Sequence, residues 1–313
     1  MIVVTGGAGF IGSNIVRGLN RRGISNILIV DNLKNSQKHL NLNSLDFVDF
    51  VDKEEFLDNL DGFGKIDVIF HQGACSNTLE TDGKYMMRNN YDYSKKLLEY
   101  SLKRSIRFIY ASSASVYGLG KNGFKEESKN EYPLNIYAFS KFIFDRYVRR
   151  VALNKGVQVV GLRYFNVYGP NEKHKGKMAS VVFHFHNQIL DDGTVKLFEG
   201  SENFKRDFVF VDDVVDVNLF FYDNPGLGGI FNVGTGRAES FLEIAKIMQG
   251  LYSNVRIEFI GFPEELKGKY QDFTEADLSS LRAVGYKKEF TSLKDGVNRY
   301  VDVLKSTGGV WVD

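Results

Sequence analysis

Residues 1–32 read MIVVTGGAGFIGSNIVRGLNRRGISNILIVDN, and this stretch decides the fold. A short apolar run leads into a glycine-rich turn, and a second apolar run closes the stretch. Between them, aliphatic residues recur at the three- and four-residue spacing of one helix face. These residues are Ile11, Ile15, Val16 and Leu19. The order therefore predicts strand, helix, strand at the start of the chain.

The same alternation continues through the first half of the sequence. Because the further apolar runs alternate with helical patterns, they predict a parallel sheet covered on both faces. After Asn166 the pattern becomes irregular, with a helix expected at 178–190 and two segments expected to return to the core. The predicted strands are LDFVDF (45–50), KIDVIFHQGA (65–74), RFIYASSA (107–114) and VQVVGLRYF (157–165), the helices lie at about 86–103 and 137–154, and the returning segments are DFVFVDDVVDVNLFFY (207–222) and GIFNVGTG (229–236).

The composition is typical of a globular protein whose partner is a small molecule. The chain has 313 residues, 43% of them hydrophobic, and its 40 Lys and Arg residues balance 39 Asp and Glu residues. This balance gives no sign of nucleic acid or an anionic membrane as a partner. No apolar stretch approaches the roughly 20 residues of a membrane span. Cys75 is the only cysteine, so we expect a cytoplasmic protein with no disulfide and no metal site.

The first glycine cluster predicts a dinucleotide site. Gly6, Gly9 and Gly12 have the spacing GxxGxxG between a strand and a helix. Glycines there allow the backbone to approach a pyrophosphate, and the helix N-terminus offers N–H donors. A tight turn without a ligand is the structural alternative.

Asp31 ends the second strand, where an acidic residue accepts hydrogen bonds from the adenosine ribose. By itself it favours NAD, because a carboxylate repels the 2′-phosphate of NADP. Asn32 and the cations Lys34, Lys38 and Lys53 favour NADP, since they can gather around a phosphate. Solvated lysines explain the same pattern, so the residues alone leave the choice of cofactor open.

Ser113, Tyr137 and Lys141 predict a proton-transfer site. The YxxxK spacing of YAFSK (137–141) places both side chains one turn apart on one helix face. A tyrosine of ordinary pKa is a poor base at neutral pH, and lowering its pKa by about three units requires roughly 4 kcal/mol of phenolate stabilisation. The Lys141 ammonium and a positive nicotinamide ring can supply it, while Ser113 binds the substrate oxygen.

Together these motifs resemble the extended short-chain dehydrogenases/reductases. They are TGGAGFIG (5–12), Asp31, ASSASVYG (111–118), YAFSK, RYFNVYGP (163–170), RDFVFVDDV (206–214) and FNVGTG (231–236). Within that family the chain is similar to the ADP-L-glycero-D-manno-heptose 6-epimerase group. The segments that carry this closer likeness are VDNLK (30–34), HQGACS (71–76), DGKYMMRNNY (82–91), HKGKMAS (174–180), LFEGSENFKRDFV (197–209), GTGRAESF (234–241) and LKGKYQ (266–271).

The resemblance implies an α/β fold with a Rossmann-like doubly wound parallel sheet and a smaller C-terminal substrate-binding α/β lobe. We expect an NADP-binding domain at 1–166 plus about 208–236, and a substrate-binding domain at about 167–207 plus 237–313. The implied reaction inverts C6″ of an ADP-heptose through a ketone, with tightly bound NADP, for lipopolysaccharide inner-core synthesis. A homo-oligomer, with a pentamer as one arrangement, is also implied.

The segment NEKHKGKMAS (171–180) supplies a candidate second acid/base group. An epimerase that oxidises and reduces both stereoisomers needs a proton donor or acceptor opposite Tyr137. We expect Lys175 in that role, as the resemblance also implies, with its pKa lowered by nearby cations and by burial. The alternatives are that Lys173, Lys175 and Lys177 neutralise a substrate diphosphate, or that they sit in water.

Matching positions in the family imply further contacts. Asn166 could instead cap a turn, His184 could be an ordinary helix histidine, and Cys75 is interpreted as packing beside the cofactor. The substrate set comprises Asn166, Lys177, His184, Phe198, Glu199, Gly200, Ser201, Arg206 and Tyr270. The cofactor set adds Phe10, Ile11, Asn32, Lys38, Lys53, Gln72, Gly73, Ala74, Cys75, Ser76, Asn89, Lys141 and Val167 to the glycines and Asp31.

Three rival functions stay in view. A nucleotide-sugar dehydratase would need adjacent acidic residues after Ser113, where this chain has Ala114 and Ser115. A net oxidoreductase would exchange NADP at each turnover, and a non-catalytic sensor would have lost its tyrosine or lysine. The tail KSTGGVWVD (305–313) contains the only tryptophan, Trp311, and the sequence suggests no function for it.

Overall fold

The computed structural model describes residues 1–152, 155–262 and 271–312. Its strands are β1 (Ile2–Thr5), β2 (Ile27–Asp31), β3 (Asp49–Asp52), β4 (Val68–His71), β5 (Arg107–Ser113), β6 (Val159–Tyr164), β7 (Asn166–Tyr168), β8 (Thr194–Phe198), β9 (Lys205–Phe210), β10 (Gly229–Val233), β11 (Ala238–Ser240) and β12 (Arg256–Ile260). Its helices are α1 (Phe10–Asn20), α2 (Lys53–Asp58), α3 (Gly83–Met86), α4 (Tyr93–Arg104), α5 (Ile136–Val151), α6 (Val181–Asp192), α7 (Val211–Asp223), α8 (Phe241–Leu251), α9 (Ser279–Ala283) and α10 (Leu293–Thr307).

Seven parallel strands form the central sheet in the order β10-β6-β5-β4-β1-β2-β3. Alternate residues of each strand enter two separate hydrophobic clusters, one on each face of the sheet. Val4 and Phe70 belong to one cluster, and Val3 and Ile69 belong to the other. Both faces are thus covered, as the apolar strands predict. The predicted α/β fold with a doubly wound parallel sheet is confirmed.

The order of the strands reverses between β1 and β4. From β1 the chain continues through β2 and β3 on one side, and from β4 it continues through β5 and β6 on the other. Connections leaving a parallel sheet in opposite directions open a crevice at the carboxyl ends of the strands. The glycine turn after β1 and Gln72–Ser76 after β4 therefore lie at one edge.

The remaining strands form two small sheets. One has the order β11-β9-β7, and the other pairs β12 with β8 in parallel. Helices α6, α8 and α10 share the hydrophobic cluster that covers these strands. Of the two segments expected to return to the core, β10 does join the central sheet, beside β6. The other segment is divided between two places. Its strand β9 pairs with β7, outside the central sheet, and β7 begins only two residues after β6 ends. Its helix α7 does return to the core, where it packs against α1.

The turn between β1 and α1 is packed at backbone contact distance. A Cβ atom on Gly12 would lie 2.1 Å from the carbonyl oxygen of Gly6. Gly6 has a φ of +67°, and a Cβ there would lie 2.6 Å from the backbone nitrogen of Gly73. Only glycine allows helix α1 to start so close to β1 and to the segment after β4.

We predict that Gly12→Ala destabilises the fold although alanine is the better helix former. The methyl group meets backbone rather than a movable side chain, and such overpacking costs about 1–3 kcal/mol. Urea unfolding measures the change. Gly250→Ala in α8 is the matched control, because nothing lies within 4 Å of its added Cβ; there we expect stabilisation of up to about 1 kcal/mol. Equal effects at the two positions would contradict the close-packing argument.

Candidate active site

A cleft of about 950 Å³ opens at the carboxyl edge of the central sheet. It brings together all the residues predicted to be catalytic and all those predicted to bind the cofactor. Of the predicted substrate residues, Asn166 and Lys177 also line it. The lining residues from the prediction are Gly6, Gly9, Phe10, Ile11, Gly12, Asp31, Asn32, Lys38, Lys53, Gln72, Gly73, Ala74, Cys75, Ser76, Asn89, Ser113, Tyr137, Lys141, Val167 and Lys175.

The first turn of α1 presents its backbone N–H groups to this cleft. Gly9 occupies the N-cap position and, having no side chain, makes no capping hydrogen bond. The first N–H groups of a helix have no partner within the helix itself. At α5, by contrast, the side chain of Asn135 accepts a hydrogen bond from the Ala138 N–H. The α1 N-terminus is thus suited to a pyrophosphate.

Asp31 fixes the end of β2 and is already paired with a cation. Its carboxylate accepts hydrogen bonds from the N–H groups of Ala8 and Asn32, at 2.9 and 2.7 Å. Lys38 Nζ donates to Asp31 Oδ1 at 2.9 Å. Both charges are largely removed from water, with side chains 6% and 19% exposed. The negative charge of Asp31 is therefore offset locally.

Gln72 offers an unused donor inside the cleft. Its Oε1 accepts a hydrogen bond from the hydroxyl of Tyr164 at 3.0 Å. Its Nε2 is buried and has no hydrogen-bond partner among the described residues. Buried polar atoms are usually paired, so an orphan donor indicates an external acceptor. Together with the N-terminus of α1, which has no capping side chain, this atom fits a bound dinucleotide.

Asn90 holds the segment after β4 against α5, a role that no sequence motif indicates. It lies in a π-helical turn (Met87–Asp92) between α3 and α4. Its Oδ1 accepts from the Cys75 N–H at 2.8 Å, and its Nδ2 donates to Cys75 O and to Ser140 Oγ. The neighbouring Asn89 accepts a hydrogen bond from Lys53 Nζ. A π turn inside a helical pattern shows no signal in hydrophobic periodicity.

Tyr137 and Lys141 lie one turn apart on α5, facing the end of β5. Lys141 Nζ donates to the carbonyl oxygen of Ala111 at 2.8 Å, which fixes it against that strand. Ser113 accepts hydrogen bonds from both the N–H and the hydroxyl of Ser115, at 3.2 and 2.9 Å. The predicted grouping of serine, tyrosine and lysine at one point of the cleft is therefore present.

Burial moves both titratable groups on α5 towards their neutral forms. It raises the pKa of Tyr137, while a hydrogen bond with Ser113 opposes the rise. Burial also lowers the pKa of Lys141 to about 8, and the charge of Asp145 opposes that fall. Lys141 does not contribute to the shift of the Tyr137 pKa, so the expected lowering by Lys141 is not produced by the protein alone.

Lys175 is held in a short 3₁₀ helix (Lys173–Met178) at the cleft wall. Its side chain is 21% exposed; its Nζ lies 5.0 Å from the centre of the Phe10 ring and 3.9 Å from Glu172 Oε2. Burial lowers the pKa of Lys175, as expected, and Glu172 opposes the shift. The nearest charge is therefore an anion, not the cations that the sequence suggested.

The side chain of Glu172 links Lys175 to the start of helix α6. It is fully buried, and its carboxylate accepts hydrogen bonds from the N–H and hydroxyl of Ser180, the N-cap of α6. The Lys175 N–H donates to the Glu172 carbonyl at 2.9 Å. Lys173 and Lys177 are exposed on the same segment. Only Lys175 of the three lysines is thus fixed by the fold.

Several predicted substrate residues lie away from the cleft lining. His184 contacts the Lys177 carbonyl through Nε2 at 3.3 Å. Arg206 is buried behind the wall, with its guanidinium 5.9 Å from the ring centre of Phe241, which does line the cleft. The stretch 198–201 begins at the last residue of β8, Phe198, whose ring packs on Phe262. Tyr270 lies outside the described residues.

Other lining residues were missed by the sequence reasoning. Some lie within the quoted motifs, such as Tyr164 in RYFNVYGP and Phe208 in RDFVFVDDV, but no spacing rule singles them out, and others lie outside every motif. They include Thr78, Tyr85, Tyr93, Tyr164, Phe208, Phe241, Gln271 and Thr274.

Comparison with known proteins agrees with this geometry. The model of the NAD dependent epimerase/dehydratase family matches residues 2–234. The chain belongs to this family. Among the residues that the structure describes, none of the helices combines the length and apolar character needed to cross a membrane.

The relatives within the epimerase/dehydratase family include nucleotide-sugar epimerases. The ADP-L-glycero-D-manno-heptose-6-epimerase of Brachyspira hyodysenteriae is 61% identical over 315 residues, covering 99% of each chain. The crystal structure of the Helicobacter pylori enzyme of the same name is 30% identical, with a TM-score of 0.85 over 97% of this chain and 96% of that one. The resemblance inferred from the motifs is confirmed.

A third family member shows the cofactor class. The UDP-glucose 4-epimerase of Thermus thermophilus, in complex with NAD, is 28% identical, with a TM-score of 0.81 over 98% of this chain and 99% of that one. A nicotinamide dinucleotide is therefore the cofactor class that the epimerase/dehydratase family and the cleft both support.

A buried histidine supports the glycine edge of the cleft. His71 Nδ1 lies 2.6 Å from Thr5 Oγ1, and its Nε2 lies 2.7 Å from Ser94 Oγ. Ser94 donates its only hydrogen to the Asn90 carbonyl, so Nε2 must be the protonated ring nitrogen. Thr5 then donates to Nδ1 and accepts from the Gly73 N–H. This chain of bonds requires a neutral imidazole.

We predict that acid destabilises the fold partly through His71. Burial, followed by the charge of Lys141, lowers its pKa from 6.5 to about 3. The unfolded chain therefore binds a proton that the folded chain does not, and stability falls as pH drops from about 6.5 towards 3. Urea unfolding at pH 7 and pH 5 should show a loss of roughly 2 kcal/mol from this residue.

His71→Gln should reduce that pH dependence, whatever its effect on stability at pH 7. His39→Gln, which removes an exposed histidine, should leave the dependence unchanged. His174 adds its own share, because burial also lowers its pKa, to about 4. A His71→Gln protein with the full wild-type pH dependence would show that His71 is not a source of the effect.

Proposed function

We propose that this protein is an NADP-dependent epimerase that converts ADP-D-glycero-β-D-manno-heptose into its L-glycero epimer at C6″. The observation that supports this most is the presence of Tyr137 and Lys175 in one cleft with the glycine turn. The 61% identity with a protein named for this reaction supports the substrate. The reaction is an isomerisation, so no net oxidation occurs.

The pairing of Asp31 with Lys38 supports NADP over NAD. An isolated carboxylate at the end of β2 would repel a 2′-phosphate, but Asp31 is offset by an ammonium 2.9 Å away. Lys34 and Lys53 also line the cleft. The flexible side chains of Lys34, Lys38 and Lys53 could bring three ammonium groups to a phosphate bound there. The carboxylate then serves chiefly to fix the Ala8 N–H.

The cofactor would lie with its pyrophosphate at the α1 N-terminus and its nicotinamide near Tyr137 and Lys141. When bound, the nicotinamide would supply the acceptor for the hydride that leaves C6″ and the donor that restores it on the opposite face. Tyr137 exchanges the proton of the 6″-hydroxyl in one epimer, while Ser113 orients the oxygen. Lys141, fixed by Ala111, binds the nicotinamide ribose, and the positive ring lowers the pKa of Tyr137.

Lys175 exchanges the proton in the other epimer. The two stereoisomers present their 6″-oxygen differently, so a second group is needed on the other side of the reacting carbon. Partial burial lets Lys175 lose its proton more easily than a solvated lysine, which suits acid/base catalysis. The rival role, neutralising a diphosphate, would not need one lysine to be more buried than its neighbours.

The other functions receive less support. Ala114 and Ser115 line the cleft where a dehydratase would place its acids. Ser113, Tyr137, Lys141 and Lys175 together give no reason to infer a sensor that has lost activity. We further propose a cytoplasmic homo-oligomer acting in lipopolysaccharide inner-core synthesis, with residues 1–166 and about 208–236 binding NADP and the remainder forming the substrate lobe.

We predict that the purified protein, without added cofactor, converts ADP-D-glycero-β-D-manno-heptose into a mixture of both epimers. Proton NMR of the 6″ centre follows the reaction, and denaturation then releases the dinucleotide for identification. Conversion with released NADP supports reaction, substrate and cofactor together, and it argues against an oxidoreductase that exchanges its cofactor. Released NAD would overturn the cofactor assignment alone. Bound cofactor without conversion would overturn the heptose assignment.

We predict that Tyr137→Phe and Lys175→Met each lower kcat by about 10²–10⁴-fold, as expected for loss of a general acid/base. Lys173→Met is the matched control from the same segment and should stay near wild type. If the lysines only neutralise a diphosphate, Lys173→Met and Lys175→Met will instead raise KM to a similar extent. Near-normal turnover by Lys175→Met would show that the two-base scheme is wrong.

A further inference from the structure

One face of helix α1 contacts both the lysine segment (residues 171–180) and the C-terminal tail (residues 308–312). Phe10, Asn14 and Arg17 follow the i, i+4, i+7 spacing of a single helix face. The Phe10 ring lies under Lys175 Nζ. Asn14 Nδ2 donates to the Pro170 carbonyl at 3.0 Å. The helix that begins at the glycine turn thus also supports Lys175.

Trp311 covers the same face one turn further on. Its Nε1 donates to Asn14 Oδ1 at 2.9 Å, so Asn14 joins the tail to the residue before the lysine segment. The Arg17 guanidinium lies 3.7 Å from the centre of the Trp311 ring, a cation–π contact. The Trp311 carbonyl accepts from Ser44 Oγ at 3.2 Å. Side chains from the rest of the protein therefore contact both the indole ring and the backbone carbonyl of Trp311.

Asn171 links the tail to the first residue of the lysine segment. It is 1% exposed and has a φ of 76°, a left-handed conformation that asparagine tolerates. Its N–H donates to the Gly309 carbonyl at 2.8 Å, and its Oδ1 accepts from the Trp311 N–H at 3.1 Å. Its Nδ2 donates to Ser13 Oγ at 3.0 Å. The tail therefore fixes the backbone four residues before Lys175.

Building on the proposed role of Lys175, we propose that Trp311 is a positioning residue. The docked tail holds Asn171, and Asn171 in turn holds the lysine segment. Lys175 therefore stays over Phe10 inside the cleft. The connection is short, because Asn171 is followed directly by buried Glu172 and then by the 3₁₀ helix of Lys175. Release of the tail would remove two of the hydrogen bonds that fix Asn171.

The test uses Trp311→Ala and Trp311→Phe in the full chain, with Val312→Ala as the matched control. Val312 is 72% exposed, so its truncation should change nothing in the tail contacts. Phenylalanine keeps a ring for Arg17 but cannot donate to Asn14. Because Trp311 is the only tryptophan, fluorescence of the wild-type and Val312→Ala proteins reports whether the tail is docked.

The deciding readout is the reactivity of the Lys175 amine, which does not depend on activity. Each protein is treated briefly with acetic anhydride, and the acetylation of Lys175 is measured by peptide mass spectrometry relative to Lys65. The Lys65 side chain is 91% exposed and distant in the chain, so it serves as an internal reference. The treatment is made at about pH 10.5, where a solvated lysine is already about half deprotonated. We expect the ratio to rise at least about threefold in Trp311→Ala, because Lys175 leaves its partly buried position.

Kinetics then connect position with function. We expect kcat of Trp311→Ala to fall about 10- to 100-fold with KM nearly unchanged, since misplacement of a catalytic group acts on the chemical step. The pH profile should shift to higher pH, because burial is what lowers the Lys175 pKa. Trp311→Phe should be intermediate in both readouts, and Val312→Ala should match wild type.

An unchanged acetylation ratio in Trp311→Ala, with unchanged kcat, would overturn the proposal and leave the tail a purely structural contact. If Trp311→Ala fails to fold, the same comparison in Trp311→Phe decides. A raised ratio with unchanged kcat supports the positional role of Trp311 but overturns the assignment of Lys175 as an acid/base group. The experiment therefore distinguishes a failure of the proposed role of Trp311 from a failure of the proposed role of Lys175.

Discussion

The structure depends on one close contact, the packing of the α1 N-terminus against the ends of β1 and β4. Gly12 approaches the Gly6 carbonyl, and Gly6 approaches Gly73, at distances that exclude any Cβ atom. This contact aims the first N–H groups of α1 at the carboxyl edge of the sheet. It also fixes the outward face of α1, where Phe10 contacts Lys175 and Asn14 contacts Trp311. A single constraint thus sets both the anion-binding end and the supporting face of one helix.

Burial affects the two proposed acid/base groups in opposite directions, with a common result. It raises the pKa of Tyr137 and lowers that of Lys175, so each favours its neutral form. A neutral phenol can donate a proton and a neutral amine can accept one. Hydrogen bonding from Ser113 and the charge of Glu172 oppose these shifts without reversing them. In the proposed mechanism, a phenol that donates and an amine that accepts correspond to one direction of a reversible epimerisation.

The parts of the site that could be predicted from sequence are those with local spacing. The strand, glycine turn and helix of residues 1–32, and the Tyr137–Lys141 pair, follow from periodicities of two and 3.6 residues. The lowered pKa of Lys175 was also expected, from burial and from neighbouring cations, and burial is the cause that the structure supports. Its nearest charged group is Glu172, three residues away in the same segment. Sequence shows that this glutamate is near, but burial against α6 and α10 decides that it faces the lysine.

The contacts that could not be predicted join residues far apart in the chain. Asn171 and Trp311 are 140 positions apart, and Asn14 and Trp311 are 297 apart, so no motif relates them. The three-dimensional structure shows that helix α1 contacts both the tail and the lysine segment. The helix that offers its N-terminus to a pyrophosphate cannot move without also moving Phe10 and Asn14, and with them the segment of Lys175. In the proposed mechanism, the same rigid element therefore sets the positions of the cofactor and of Lys175, and both must meet one carbon atom.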